Sequence, residues 1–435
     1  MENQRNKQRK IDIIVLVIGG LLPIVLRFLF PDIYHHFDVH TFVEWGKYHD
    51  NLSDLYLTEC YCNYPYIGML LSTGILRLFN DSVFAFLSLL SIIDLLNVYL
   101  IYRILKSLIV QRAALFAGIL GILPAVWVGG GFWGQIDTFG QTLLLGLIWL
   151  IIRHKQLNKH HTLIFACYGL FFSVGLLTKQ LLLFPLAPIG VYVAFSAFRV
   201  TNSVQRGILL LLTSFVAFLL PILLVDASIS VPDRFLFSHL ERVFFEGSDH
   251  MNEISGNGFN IWMFFFEDMG ASSEQPFLLL SPKNLGLISF VLLSAWLSYK
   301  HLQFHIKKVN RQLILVSLFF FFLLINLGFN LLLTGTHERY LYHFYPFLGI
   351  ALLYVSRLHL FVVQKIDFIL LLIGGIIYGL FVWGILRQYH HSVYFFQSLI
   401  AHRILAGFHL ILFARLFYQF IQIHKMTLNQ PPSND

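Results

Sequence analysis

Gly129-Gly130-Gly131-Phe132-Trp133-Gly134-Gln135-Ile136-Asp137 is a polar, glycine-rich interruption between two strongly apolar runs, and its reading decides the fold. In a water-soluble domain it would be an ordinary turn. Inside a bilayer, backbone that leaves the helix is tolerated only where protein buries it or where it lines a wet cavity, and a carboxylate beside it is a functional candidate. Composition chooses between the two. The 435 residues are 57% hydrophobic and 12% charged, with a mean hydropathy of +0.71, against roughly 25% charged residues in a soluble domain. The chain is therefore expected to be a polytopic membrane protein.

Working outward from the loop, predominantly apolar runs of spanning length lie at about 11–30, 82–104, 113–128, 138–153, 162–177, 180–198, 207–227, 284–302, 312–333, 340–357, 366–386 and 403–422. That makes roughly twelve spans, within a range of about 11–13. The basic opening Met1 to Lys10 precedes the first run, which is long for a signal h-region and reads as an uncleaved helix. The apolar piece 65–80 is treated as non-crossing. With the N-terminus in the cytoplasm, 20 of the 30 Lys and Arg then fall inside and 18 of the 23 acidic residues fall outside, as the positive-inside rule requires. The fold class expected is thus all-α and polytopic, a single transmembrane domain over 1–435 with extracytoplasmic loop helices and no separate soluble domain. Its main extracytoplasmic loops are 31–81 and 228–283.

Composition also excludes. The formal charge of +7 suits topology better than nucleic acid, because no basic cluster is long enough to track phosphates. Three cysteines make no disulfide framework: Cys60 and Cys62 are too close to pair easily, and Cys167 falls in an apolar run. Asn51-Leu52-Ser53 and Asn80-Asp81-Ser82 are sequons by pattern. The compact loops fit a bacterial plasma membrane, or the endoplasmic reticulum if the source is eukaryotic.

The topology gathers four polar constellations on one face. Asp38 lies eight residues past the first span, in Tyr34-His35-His36-Phe37-Asp38-Val39-His40, and is either a helix cap or a general base for a hydroxyl acceptor. The neighbouring histidines are either interfacial or, through the His36-x3-His40 spacing, metal ligands. In the glycine loop, Gln135 and Asp137 are either cavity residues or parts of a wet turn with Asp137 capping the next helix, and Trp127 and Trp133 either stack on a sugar or anchor at headgroup level. Lys179-Gln180 sits at an apolar junction where a lysine calls for an anion as partner. Thr336-His337-Glu338-Arg339-Tyr340 sets a guanidinium and an imidazole, both suited to phosphate, beside an acid that orients them or merely forms a local salt bridge.

Taken in order, Asp38, Asn63-Tyr64-Pro65, Gly131-Phe132-Trp133-Gly134-Gln135-Ile136-Asp137, Lys179-Gln180, Asn257-Gly258-Phe259-Asn260-Ile261-Trp262 and His337-Glu338-Arg339-Tyr340 resemble the GT-C superfamily. Within it the chain is similar to bacterial relatives of the GPI-anchor second mannosyltransferase and, more remotely, to the dolichyl-phosphate-glucose glucosyltransferases. The resemblance covers about residues 30–350. It implies inverting, metal-independent transfer of a hexose, mannose or glucose, from a polyprenyl-phosphate-sugar donor to an acceptor hydroxyl of a glycan, glycolipid or protein on the extracytoplasmic face, with no cofactor. Carried over by residue, it makes Asp38 the catalytic base and places Lys179, His337 and Arg339 around the donor phosphate. Gln135, Asp137, Trp133, Gln180, Glu338, Asn257 and Asn260 become substrate-binding or supporting residues. The chain departs from the family's Tyr-Pro-Pro at Tyr64-Pro65-Tyr66. The competing class is a transporter or flippase of an anionic lipid-linked sugar, which should carry polar groups at mid-membrane and on both faces. Most spans here have nearly uncharged interiors, Asp94 being the chief exception.

Overall fold

A computed structural model describes residues 2–47, 56, 64–154, 160–201, 203–229, 238–244, 252–360, 362–388 and 398–428. Cys60, Cys62, Asn63, the sequon at Asn51 and parts of the 31–81 and 228–283 loops lie outside the described residues. Among those described, the chain is helical, with no strand beyond two isolated bridges.

In order, the helices are α1 (Glu2–Leu29), α2 (His36–Gly46), α3 (Tyr66–Leu78), α4 (Val83–Ser107), α5 (Ala113–Ile122), α6 (Asp137–Arg153), α7 (His161–Thr178), α8 (Leu183–Thr201), α9 (Val204–Ser228), α10 (Ser238–Phe244), α11 (Pro282–Ile306), α12 (Arg311–Leu332), α13 (Phe344–Arg357), α14 (Lys365–Gln388) and α15 (Leu399–Leu428). Nine helices among the described residues are long and apolar enough to cross a bilayer. The chain is an all-helical, polytopic membrane protein. Three expected spans are shorter helices. The 113–128 run ends at Ile122 because Pro124 follows and a short 3-10 turn, Pro124–Val126, takes over. The 340–357 run loses its first residues to a 3-10 turn at Glu338–Leu341, and α6 has only 17 residues. Helix α3, with 13 residues, is about 20 Å long at 1.5 Å per residue, short of the roughly 30 Å hydrocarbon core.

The chain divides into two compact units. The first comprises residues 1–122, 127–183 and 201–250. Its long helices turn bare apolar faces outward, such as Ile14, Ile18, Leu21 and Val25 on α1 and Leu212, Phe215, Val216 and Leu220 on α9. Only lipid makes such faces favourable. Small residues let the helices touch: a Cβ on Gly19 would stand 2.2 Å from the carbonyl oxygen of Gly118, the close backbone approach typical of membrane helix pairs. A buried apolar cluster of Val39, Phe42, Trp45, Tyr64, Met69, Phe86, Leu87 and Ile136 seats α2 against α3 and α4. This packing makes α2 part of the core.

The second unit comprises residues 123–126, 184–200 and 251–435. Helix α12 is buried from Ile314 to Leu331 and is predominantly apolar there, with Ser317, Asn326 and Asn330 the polar exceptions, the pattern of a helix enclosed by others. Beside it, Ile254, Trp262 and Met263 form a small core with Phe266, Phe277 and Leu285 around them. That core carries the loop that continues to Asn257 and Asn260.

Candidate functional site

In the first unit, His35 caps α2 by accepting the Asp38 backbone N–H at 3.2 Å. The cap reading of Asp38 therefore belongs to its neighbour. Asp38 occupies the first turn, where a negative charge suits the helix dipole. Its Oδ2 accepts from Trp133 Nε1 at 2.7 Å and from Gln135 Nε2, with His35 Nδ1 3.3 Å away. The side chain keeps 13% of its surface exposed, so the carboxylate is held in place yet remains reachable.

The glycine loop forms these contacts because it winds as a π-helical turn over Val128–Phe132. Such widened turns recur at functional sites. Trp133 N donates to Val128 O at 2.9 Å, and Gly134 leaves the turn with φ +89°, a conformation that glycine adopts without steric cost. A Cβ there would also lie 2.4 Å from Val39 Cγ2 on α2. The loop thus closes directly onto the helix that bears Asp38. Trp133 is 1% exposed and stacks on the His35 ring with centroids 4.5 Å apart. At that burial it presents no open face to a sugar in this structure, and its indole carries the hydrogen bond to Asp38. Trp127 is likewise buried and packs on Phe132.

Gln135 joins two halves of the cluster. Its Nε2 serves Asp38, while its Oε1 accepts from the Tyr64 hydroxyl at 2.6 Å and from Lys179 Nζ at 3.4 Å. Lys179 forms a buried ion pair with Asp137 and lies 5.4 Å from the centre of the Tyr64 ring. The anion that the sequence demanded for Lys179 is thus a neighbouring carboxylate. Asp137 opens α6 but does not cap it; the residue before it, Ile136, provides no side-chain cap. Gln180 begins a short 3-10 turn, Gln180–Leu182, and is half-buried. Histidines 36 and 40 stack on each other at 5.7 Å, and among the described residues no group of three or more His, Cys, Asp or Glu is arranged to hold a metal.

Sequence reasoning missed Arg27 and gave Asp94 no role, although both are completely buried. Arg27 resembled an interfacial residue at the end of a span. Asp94, an ionisable group in mid-span, was the available signal.

The second unit brings the other two motifs together. Gly256 N and Gly258 N both donate to Thr336 O, at 3.0 and 2.9 Å. Asn260 Nδ2 reaches Thr336 Oγ1 at 3.3 Å and Ile254 O at 2.9 Å, while Asn260 Oδ1 accepts from Trp262 N. Asn257 sits between the two glycines with φ +68°. The loop packs so closely that a Cβ on Gly256 would be 2.7 Å from the His337 ring. Glu338 is 1% exposed and lies 3.6 Å from the Arg339 guanidinium, and Arg339 extends over the Tyr340 ring. Asn260 is thus tied to Thr336, the residue before His337, and Glu338 pairs with Arg339.

Residues 63–224 match the family model described as dolichyl-phosphate-mannose-protein mannosyltransferase. The matched stretch includes Gln135, Asp137 and Lys179; it begins after Asp38 and ends before Asn257 and His337. No curated protein matches the chain. A match over less than half of the chain, on an all-helical architecture able to cross a bilayer many times, supports the chain's place in the GT-C superfamily of membrane glycosyltransferases.

Proposed function

We propose that the protein transfers a hexose, mannose in the first instance, from a polyprenyl-phosphate sugar to an acceptor hydroxyl, with inversion, on the extracytoplasmic face. The observation that carries this reading is the Asp38 carboxylate, held at Oδ2 by Trp133 and Gln135 while the side chain keeps part of its surface open. A base that must take a proton from an alcohol needs that combination, because geometry comes first and access second. Asp38 removes the acceptor proton as its oxygen attacks the anomeric carbon, and the polyprenyl phosphate leaves with the bonding pair. A phosphate leaving group departs readily once cations match its charge. His337 and Arg339 supply that match in this reading; Arg339 suits two phosphate oxygens at once. Lys179, whose charge Asp137 already balances, supports Gln135 instead of meeting the phosphate directly. The matched family favours mannose over glucose. The acceptor is a glycan, glycolipid or protein hydroxyl.

The test uses purified full-length protein in nanodiscs with a polyprenyl-phosphate mannose. Asp38→Asn keeps the shape and removes the base, so transfer should fall at least ~100-fold, the range of a general base, while the protein stays folded. Full activity in that variant sinks the assignment of the base. Arg339→Ala should raise the donor KM more than the acceptor KM; equal rises would count against the phosphate role.

A further inference from the structure

We propose that Arg27 and Asp94, two ions buried within the helices of the first unit, are positioning residues for Asp38, acting through Gly131. The proposal rests on the reading of Asp38 as the base. It begins with one peptide unit on each side of Gly131. The Gly131 N–H donates to Asp94 Oδ2 at 2.9 Å, and the Gly131 carbonyl accepts from Arg27 Nη2 at 3.0 Å. One residue in a glycine loop is thus gripped on its donor and its acceptor by two charges of opposite sign.

Each ion holds a second partner that links this grip to the base. Arg27 Nη2 also donates to Ile33 O at 2.7 Å, and Nη1 donates to Phe30 O and Pro31 O at 2.9 and 3.0 Å. Its guanidinium lies 4.3 Å from the centre of the Phe132 ring. The same nitrogen therefore sets the spacing between the segment that leads to Asp38 and the segment that leads to Trp133 and Gln135. Asp94 Oδ1 accepts from Thr138 Oγ1 at 2.6 Å, and Asn97 Nδ2 reaches both Thr138 Oγ1 and its carbonyl at 3.1 Å. Asp94 thus holds both ends of the loop, at Gly131 and at the start of α6. From Gly131 the chain needs two residues to reach the indole that binds Asp38, and His35 N returns to Trp133 O at 3.0 Å.

The fit is too tight for other residues in the loop. A Cβ on Gly130 would stand 2.5 Å from Asp94 Oδ1, and one on Gly131 would stand 2.1 Å from Ser91 Oγ. Ionisable groups inside a membrane are costly and persist where they have work to do. A structural hydrogen bond needs no pair of ions, whereas a loop that must not shift by a fraction of an ångström gains from charge-assisted bonds at both ends.

The experiment uses the full chain in nanodiscs with Asp94→Asn, Arg27→Met, Thr138→Val and Thr138→Ser. Hydrogen exchange of the peptides covering 127–136 and 31–38 is measured beside transfer kinetics. Asp94→Asn, Arg27→Met and Thr138→Val should each speed exchange in those peptides at least ~10-fold and lower kcat by roughly 10–100-fold, the scale of a misplaced catalytic group, with the donor KM unchanged. Thr138→Ser, which keeps the hydroxyl, should restore both. Thr138→Val keeps both ions and serves where the charge variants fail to fold. Faster exchange with wild-type kcat would overturn the proposal, as would a fall in kcat with exchange unchanged. Should the wild type transfer no sugar, the functional reading fails by itself; exchange at 31–38 then decides whether Arg27 and Asp94 hold the Asp38 segment, and unchanged exchange there overturns the proposal.

Discussion

At the residue scale, three side chains serve ends other than their types announce. Trp133 is a hydrogen-bond donor to a carboxylate instead of a sugar platform, and His35 takes the capping position that would otherwise fall to Asp38. Lys179 is an internal cation paired with Asp137. Removing one member of a buried pair leaves an uncompensated charge and costs about 3–5 kcal/mol, whereas replacing both with apolar groups is often neutral. Lys179→Met alone should therefore destabilise the protein by about that amount. The double variant Lys179→Met/Asp137→Leu should recover most of the loss in thermal unfolding but not the transfer activity, because Gln135 would lose the Lys179 contact. Recovery of both would show the pair to be structural only.

At the element scale, α3 begins at Tyr66 directly after Pro65, which offers no side-chain cap. Its first N–H groups need partners from elsewhere. His239 of α10 supplies one, Nε2 accepting the Tyr66 N–H at 3.2 Å, while its own backbone N–H donates to Asp226 at 3.2 Å. The His239 ring meets Tyr56 edge-on, and Tyr56 in turn donates to Tyr64 O at 2.7 Å. The cap needs a neutral imidazole. Burial holds His239 at about 4, below its ordinary 6.5, although the Asp226 charge pulls the other way. A folded-state pKa below the unfolded one means that the contribution is complete above about 6.5 and is lost as pH falls toward 4. Exchange at the first amides of α3, corrected for intrinsic rate, should rise between pH 7.5 and pH 4.5. His239→Phe should remove that pH dependence. A profile that stays the same in the variant would refute the cap.

At the scale of the whole molecule, the topology can be read directly. Charge asymmetry predicts that Asp32 and Lys307 lie on opposite sides of the membrane, and both positions are exposed. Single cysteines at these two positions, in a cysteine-free background, should react with an impermeant reagent from opposite sides. Labelling of both from one side would overturn the proposed face. Much of the architecture was legible because lipid imposes a rule visible in one dimension: spanning helices must be long and apolar. Reading failed where a helix breaks without leaving the protein. The runs at 113–128 and 340–357 looked like spans because hydropathy does not register a 3-10 turn.

The candidate residues were legible for the same reason, since Asp38, Gln135, Asp137, Lys179 and His337 are polar in an apolar chain. Their partners were not. Trp133 meeting Asp38, Lys179 meeting Asp137 and Arg27 meeting Gly131 join positions 95, 42 and 104 residues apart. The sequence by itself determined that this protein lives in a bilayer and that ionisable residues interrupting its apolar runs are functional candidates, because solvation by lipid acts on each residue separately. Only the tertiary structure decided which ion answers which, because a hydrogen bond depends on two groups coming within about 3 Å, and in the first unit that distance is set by the packing of α1, α2 and α4 around one π-helical turn.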